Sequence, residues 1–238
     1  VEVVVDQDIQ WHQAPEKESL AELVVGAICQ ALQAATQKQG RASLLLSGGS
    51  TPQLAYQLLS NATLPWDKLQ ISLTDERQVD DGHEASNAVM VWQRLLAKRP
   101  QVQWFPLWQT GWTCQDIAEI KARTAEMQTP FDVVLLGMGD DGHFASLFPN
   151  CSASAQALHG DSDRLLCTTA PNAPTARISW SLKALLDSKE LMLYITGDRK
   201  KAIVQAAYQA DSAESKLPIG YLVRALQAAG RPLKVYWS

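Results

Sequence analysis

The stretch Asp132 to Pro149, DVVLLGMGDDGHFASLFP, carries the reading of this chain. Val133, Val134, Leu135 and Leu136 form a continuous apolar, partly β-branched run, the pattern of a strand buried on both faces. The run ends in Gly137, Gly139, Asp140, Asp141, Gly142 and His143. Glycines let a backbone turn sharply and approach a ligand, and in open α/β sheets ligands lie beyond the carboxyl ends of the strands. A histidine there, with a carboxylate able to fix its tautomer, is a common way to build a general base. The expectation is therefore a catalytic loop at the mouth of a parallel sheet, with His143 as base and Asp141 as its orienting partner.

The same glycines match the dinucleotide fingerprint G-x-G-x-x-G, but two features argue against that use. The fingerprint holds a diphosphate on bare N–H groups, whereas Asp140 and Asp141 place negative charge there. It also requires a full helix after the glycines, and Pro149 closes the stretch within two turns.

Working outward, apolar strand-like runs alternate with helical periodicity along the chain. This predicts an α/β fold, a mainly parallel Rossmann-like sheet with helices on both faces. Expected strands are Val1–Val5, Leu44–Leu46, Leu69–Leu73, Trp104–Leu107, 133–136, Leu165–Thr168, Leu191–Ile195 and Leu233–Trp237. Expected helices are Glu16–Gln39, Gln53–Ser60, Ala85–Lys98, Ile117–Met127, Trp180–Leu186, Lys200–Tyr208 and Tyr221–Ala229. With no repeat and no real linker, residues 1–238 are expected to form one domain.

A second informative loop, Ser47 to Pro52 (SGGSTP), lies between a strand and a helix. Thr51 is expected to cap that helix, with Pro52 at its first position. Gly48, Gly49, Ser50 and Thr51 then form a backbone cradle for a phosphate monoester. It is not a Walker A loop, because the Gly-Lys-[Ser/Thr] ending is missing. Side-chain cations are also needed, and Arg77, Arg177, Arg199 and Lys200 fall at strand ends or helix starts. Asp75 and Arg77 belong to the charged run TDER after a buried strand, which marks either a crevice or a solvated turn.

Of 238 residues, 46% are hydrophobic and 19% charged, and the net charge is −4. These values give no support for nucleic-acid binding, which usually shows a basic patch. No apolar run is read as long enough to span a membrane. Val1–Val5, followed by Asp6 and Asp8, is too short for a secretion signal. The four cysteines, Cys29, Cys114, Cys151 and Cys167, show no C-x-x-C and are expected to be reduced thiols in a cytoplasmic protein. Asp140, Asp141 and His143 lack a partner set at metal-ligand spacing, so no metal and no cofactor are expected.

With these residues in hand, the chain closely resembles the bacterial 6-phosphogluconolactonases. The resemblance runs through five ordered blocks: LSGGSTP at 46–52, TDERQVDDGHEASN at 74–87, LLGMGDDGHFASLFP at 135–149, APNAPTARIS at 170–179 and ITGDRK at 195–200. It implies the fold shared with glucosamine-6-phosphate deaminases and ribose-5-phosphate isomerases. It also implies hydrolysis of 6-phospho-D-glucono-1,5-lactone in the oxidative pentose phosphate pathway. By resemblance His143 is the catalytic base, and Arg77, Arg177 and Lys200 contact substrate. The partner is then a small sugar-phosphate lactone, and a monomer is expected. Two positions depart from the family. Asp80 stands where proline is frequent, which alters loop stiffness, and Phe144 stands where threonine is common, which removes a polar group. Two alternatives remain. A glucosamine-6-phosphate deaminase typically continues G-H-I-A-F-N-E-P, unlike FASLFP here. A non-catalytic sugar-phosphate-binding domain of a regulator usually carries a helix-turn-helix, whereas here Val1–Val5 already starts the sheet.

Overall fold

The structure, a computed structural model, describes residues 2–6, 8–159 and 163–238. In chain order it runs β1 (Glu2–Asp6), β2 (Ile9–Gln13), α1 (Lys17–Gln39), β3 (Ala42–Leu46), α2 (Gln53–Leu59), β4 (Leu69–Leu73), β5 (Asp75–Arg77), α3 (Asn87–Arg94), β6 (Gln103–Trp104), α4 (Ile117–Thr124) and β7 (Phe131–Leu136). It continues through α5 (Ser152–Leu158), β8 (Leu165–Thr169), β9 (Ala176–Trp180), α6 (Leu182–Leu186), β10 (Ser188–Ile195), α7 (Asp198–Ala207), α8 (Pro218–Ala228) and β11 (Leu233–Trp237).

Eight strands form one sheet in the order β1-β2-β11-β10-β7-β3-β4-β6, parallel throughout except for the antiparallel β1–β2 pair. Every residue of β3, β4 and β7 is buried, as expected of parallel strands covered on both faces. Asp132, at the amino end of β7, ties it to both neighbours. It accepts the Ser43 N–H at 2.8 Å and pairs with Lys189 at 2.6 Å. In α1, Leu20, Val24, Ile28 and Leu32 recur at a four-residue spacing and are fully buried. Gly40, at φ +79, ends the helix by donating its N–H to the Thr36 carbonyl, a conformation that favours glycine.

The strand order places the functional site. From β3 the chain moves to β4 and β6, then returns to β7 on the other side of β3 and goes on to β10. The loops leaving β3 and β7 therefore diverge, and a crevice opens at their carboxyl ends. A second, three-stranded antiparallel sheet, β5-β9-β8, forms one wall of that crevice. It is reached because the chain leaving β4 turns at Thr74, whose carbonyl accepts the Trp180 N–H at 3.1 Å.

Several expectations are corrected. The elements β2, β5, β9 and α5 were not foreseen. β5 reads as a charged turn because only its backbone pairs, and α5 (SASAQAL) has no wide apolar stripe. The helix expected over Ala85–Lys98 starts at Asn87 and breaks at Leu95, whose ψ of −63 is paired with a φ of −132. Trp180 ends β9, and the following helix begins at Leu182 with Ser181 accepting the Ala184 N–H. The cap at the SGGSTP loop is shifted. α2 begins at Gln53, Pro52 is its cap residue, and no side-chain cap bond forms. Val1 lies outside the described residues.

The helix α1 is long and apolar enough to cross a bilayer by length and composition, although no such run was expected. Its apolar residues belong to the face packed on the sheet. Cys114 and Cys167 are not reduced thiols but a disulfide, with Cα atoms 6.1 Å apart across 53 residues of sequence. Cys29 and Cys151 are free.

Candidate active site

The crevice holds a cavity of about 210 Å³. It is lined by Gly48, Gly49, Ser50, Thr51, Asp75, Arg77, His143, Arg177 and Lys200, so nine of the sequence-derived site residues converge. Asp141 stands behind His143 and does not line it. Arg199 points elsewhere, 4.0 Å from Asp140 and largely in solvent.

The loop after β7 is wound tightly around the His143–Asp141 pair. Gly142 sits at φ +76, and the Gly139 N–H donates to the His143 carbonyl at 2.9 Å. Asp141 Oδ1 lies 2.5 Å from His143 Nδ1 and also accepts the His143 backbone N–H at 3.2 Å. A proton on Nδ1 leaves Nε2 as the free acceptor. Partial burial works to raise the Asp141 carboxyl, but the hydrogen bond and charge of His143 outweigh it and hold the group below its ordinary range. Gly139 is required by this packing: a Cβ there would lie 2.2 Å from His143 Cε1 and 2.8 Å from Asp141 Oδ1. Phe148 stacks at a tilt on the imidazole, with centroids 4.5 Å apart.

Beyond the histidine, the backbone is held in an uncommon shape. Ala145, which lines the cavity, has φ +48, a strained value for a residue with a Cβ. Buried hydroxyls over-determine it. Ser146 donates to Asp75 Oδ2 at 2.6 Å, its N–H reaches Ser179 Oγ at 3.2 Å, and its carbonyl accepts Thr168 Oγ1 at 2.8 Å. Asp75 Oδ2 thereby orients the loop and Oδ1 accepts the Thr74 hydroxyl at 3.1 Å, while the residue still lines the cavity.

The cations Arg77, Arg177 and Lys200 line the same cavity as the histidine. Arg77 on β5 and Arg177 on β9 are directly paired in register. Burial, and then the charge of Arg77, both lower the Arg177 guanidinium's affinity for its proton. Arg177 Nε donates to the Pro174 carbonyl at 2.9 Å, and Arg77 Nη1 donates to the Ala85 carbonyl. Among the described residues, no carboxylate lies within ion-pair distance of Arg77, Arg177 or Lys200. Arg77 Nε and the hydroxyl of Ser47 are buried without any partner among the described residues. Three cations and two unsatisfied groups around one cavity favour an anionic, hydrogen-bonding ligand.

Sequence reasoning named Ser47 only as the start of the SGGSTP loop and missed Asn87 and Tyr194, and all three line the cavity. Asn87 stood within the quoted block 74–87, but its approach to Gly48 is tertiary. A Cβ on Gly48 would lie 2.0 Å from Asn87 Oδ1. Tyr194 is nearly all buried, and burial, with Glu18 adding to it, pushes its phenol up to about 12. No local signal separates it from a core tyrosine. Among the described residues, no group of three or more His, Cys, Asp or Glu is placed to hold a metal ion.

A parallel sheet with its crevice at a topological switch, and a histidine–carboxylate pair facing unpaired cations, defines an α/β enzyme acting on a small phosphorylated molecule. The chain belongs to the glucosamine-6-phosphate isomerase/6-phosphogluconolactonase family, whose model matches residues 15–231. It is 36% identical over 223 residues to the 6-phosphogluconolactonase of Rhizobium meliloti, covering 92% of this chain and 94% of that protein. The Pseudomonas aeruginosa 6-phosphogluconolactonase is 34% identical, with coverage of 95% and 92%. The crystal structure of a 6-phosphogluconolactonase from Shewanella baltica matches with a TM-score of 0.87 at 32% identity, covering 96% of this chain and 97% of that one.

Proposed function

We propose that this chain hydrolyses 6-phospho-D-glucono-1,5-lactone to 6-phosphogluconate, as a single-domain, monomeric enzyme of the oxidative pentose phosphate pathway. The observation that carries the reading is the His143–Asp141 pair facing Arg77, Arg177 and Lys200 across one cavity, in a chain similar over nearly its whole length to 6-phosphogluconolactonases.

The chemistry asks little of the protein. A lactone carbonyl is already electrophilic, so an activated water suffices. In this reading His143 Nε2 takes a proton from the attacking water while Asp141 holds the Nδ1 proton and steadies the imidazolium. Backbone N–H groups of the glycine-rich loops are available to the carbonyl oxygen as it gains charge. The ring C–O bond then breaks, the proton passes from His143 to the leaving ring oxygen, and the base is returned neutral. Gly48, Gly49, Ser50 and Thr51, with Arg77, Arg177 and Lys200, hold the phosphate end. Asp75 lines the same cavity and is available to a sugar hydroxyl.

The test is a direct assay of lactone hydrolysis, corrected for spontaneous opening, beside a glucosamine-6-phosphate deamination assay. Lactone hydrolysis without deamination is expected. Deamination without lactonase activity would move the chain to the other branch of its family, and binding of sugar phosphate with neither activity would leave a non-catalytic domain.

A further inference from the structure

We infer that Glu76 is a positioning residue for phosphate binding: its buried carboxylate fixes Arg77 and Asn87 against the SGGS loop. The inference rests on the functional reading above. Glu76 is 2% exposed, yet makes no ion pair among the described residues. Its carboxylate is instead the acceptor for four donors. Oε1 takes the N–H of Arg77 at 2.7 Å and of Asn87 at 2.8 Å. Oε2 takes the N–H of Ala88 at 2.6 Å and the hydroxyl of Ser86 at 3.0 Å. Burial is the largest influence on this carboxyl and raises it, while the backbone donors oppose that rise.

The three bonds from Ser86, Asn87 and Ala88 join β5 to the start of α3, about ten residues later in the chain, while the Arg77 N–H bond stays within β5. The α3 end is held further by Asn87 Nδ2, which donates to the Asp75 carbonyl at 2.9 Å. The Asn87 amide lies so close to Gly48 that a Cβ there would meet its Oδ1 at 2.0 Å, so no side chain fits between them. One carboxylate thus links three walls of the cavity: the strand carrying Arg77, the helix start carrying Asn87 and the loop of Gly48 and Gly49. The His143–Asp141 pair hangs from β7 and receives none of these bonds. Glu76 should therefore govern how tightly the phosphorylated ligand is held, and leave the chemical step nearly alone.

A glutamine at 76 keeps the shape but turns one acceptor oxygen into a donor facing N–H groups that cannot reverse their role. In Glu76→Gln, KM for the phosphorylated lactone and Kd for 6-phosphogluconate should both rise on the order of tenfold or more, the worth of one weakened charge-assisted contact. The kcat should stay within about threefold, since proton transfer to the base is untouched. Ser86→Ala removes one of the four donors together with the cap that Ser86 Oγ gives the Val89 N–H, and should raise both constants in the same direction by a smaller factor. A purely structural glutamate would lower thermal stability and the active fraction while leaving KM and Kd unchanged, and that result overturns the proposal. If Glu76→Gln does not fold, unchanged KM and Kd in Ser86→Ala overturn it instead. A wild-type protein inactive on the lactone would count against the functional reading, while calorimetric binding of 6-phosphogluconate by wild type and variant would still decide the role of Glu76.

Discussion

Replacing Gly139 with alanine tests whether the His143–Asp141 geometry drives the reaction. The added methyl would sit 2.2 Å from His143 Cε1, 2.3 Å from Nδ1 and 2.8 Å from Asp141 Oδ1. Ordinary carbon contacts begin near 3.5 Å, so the imidazole must move by about 1 Å or the loop must open. The loop cannot yield freely, because the Gly139 N–H is bonded to the His143 carbonyl and Gly142 already occupies φ +76. A misplacement of about 1 Å costs roughly 10²-fold in rate, and overpacking of this kind costs about 1–3 kcal/mol of stability. Gly139→Ala should thus fold, lose about two orders of magnitude in kcat, and still bind 6-phosphogluconate, because the cations lie on other walls. Gly26→Ala, on α1 and away from the cavity, is the control, since a Cβ there would meet nothing within 4 Å. Kinetics on the purified variants, with circular dichroism to confirm folding, decide the matter. A Gly139→Ala enzyme within a few-fold of wild-type kcat would refute the claim that this pair is the catalytic base.

Four further outcomes are expected. His143→Ala should lose roughly 10²–10⁴-fold in kcat with little change in binding; a near-normal kcat would pass the role of base to Asp75 or Asp141. Arg177→Ala and Lys200→Ala should each lower kcat/KM for the phosphorylated lactone about tenfold or more, while Arg199→Ala should not. Equal loss on an unphosphorylated lactone would make these cations structural. The Asp141 carboxyl is held below its ordinary value, so its contribution to stability is complete above the unfolded value of about 3.9 and is lost as pH falls through the lower folded one. The Tm gap between wild type and Asp141→Asn should therefore shrink only at acid pH below about 4; a gap that closes nearer neutrality refutes this. Without reductant, thiol titration of the denatured protein should find two cysteines, Cys29 and Cys151. Reducing the Cys114–Cys167 bond, which closes a loop of 53 residues, should lower stability by up to about 4 kcal/mol. Four titratable thiols would remove the bond.

Much of this protein is local physics and was legible in the chain. The run Val133–Leu136 is a buried strand because its residues are apolar and, at Val133 and Val134, β-branched. Gly137 to His143 form a tight loop because glycine permits the turn and the close approach that Gly139 and Gly142 make. The α1 periodicity and the Gly40 stop needed nothing beyond neighbours a turn away. The family blocks pointed to His143, Arg77, Arg177 and Lys200 for the same reason, since each motif is contiguous. Relations between distant segments were another matter. That β7 lies beside β3, opening the crevice between their loops, depends on strand pairing that no single segment encodes. Arg77 meets Arg177 only through the register of β5 with β9, two strands too short or too charged to stand out. Lys200 reaches the cavity and Arg199 does not, because successive helical residues point about 100° apart and only the docked helix says which one faces inward. Asn87 against Gly48, and Cys114 against Cys167, are likewise contacts between segments whose separation in sequence hides their proximity.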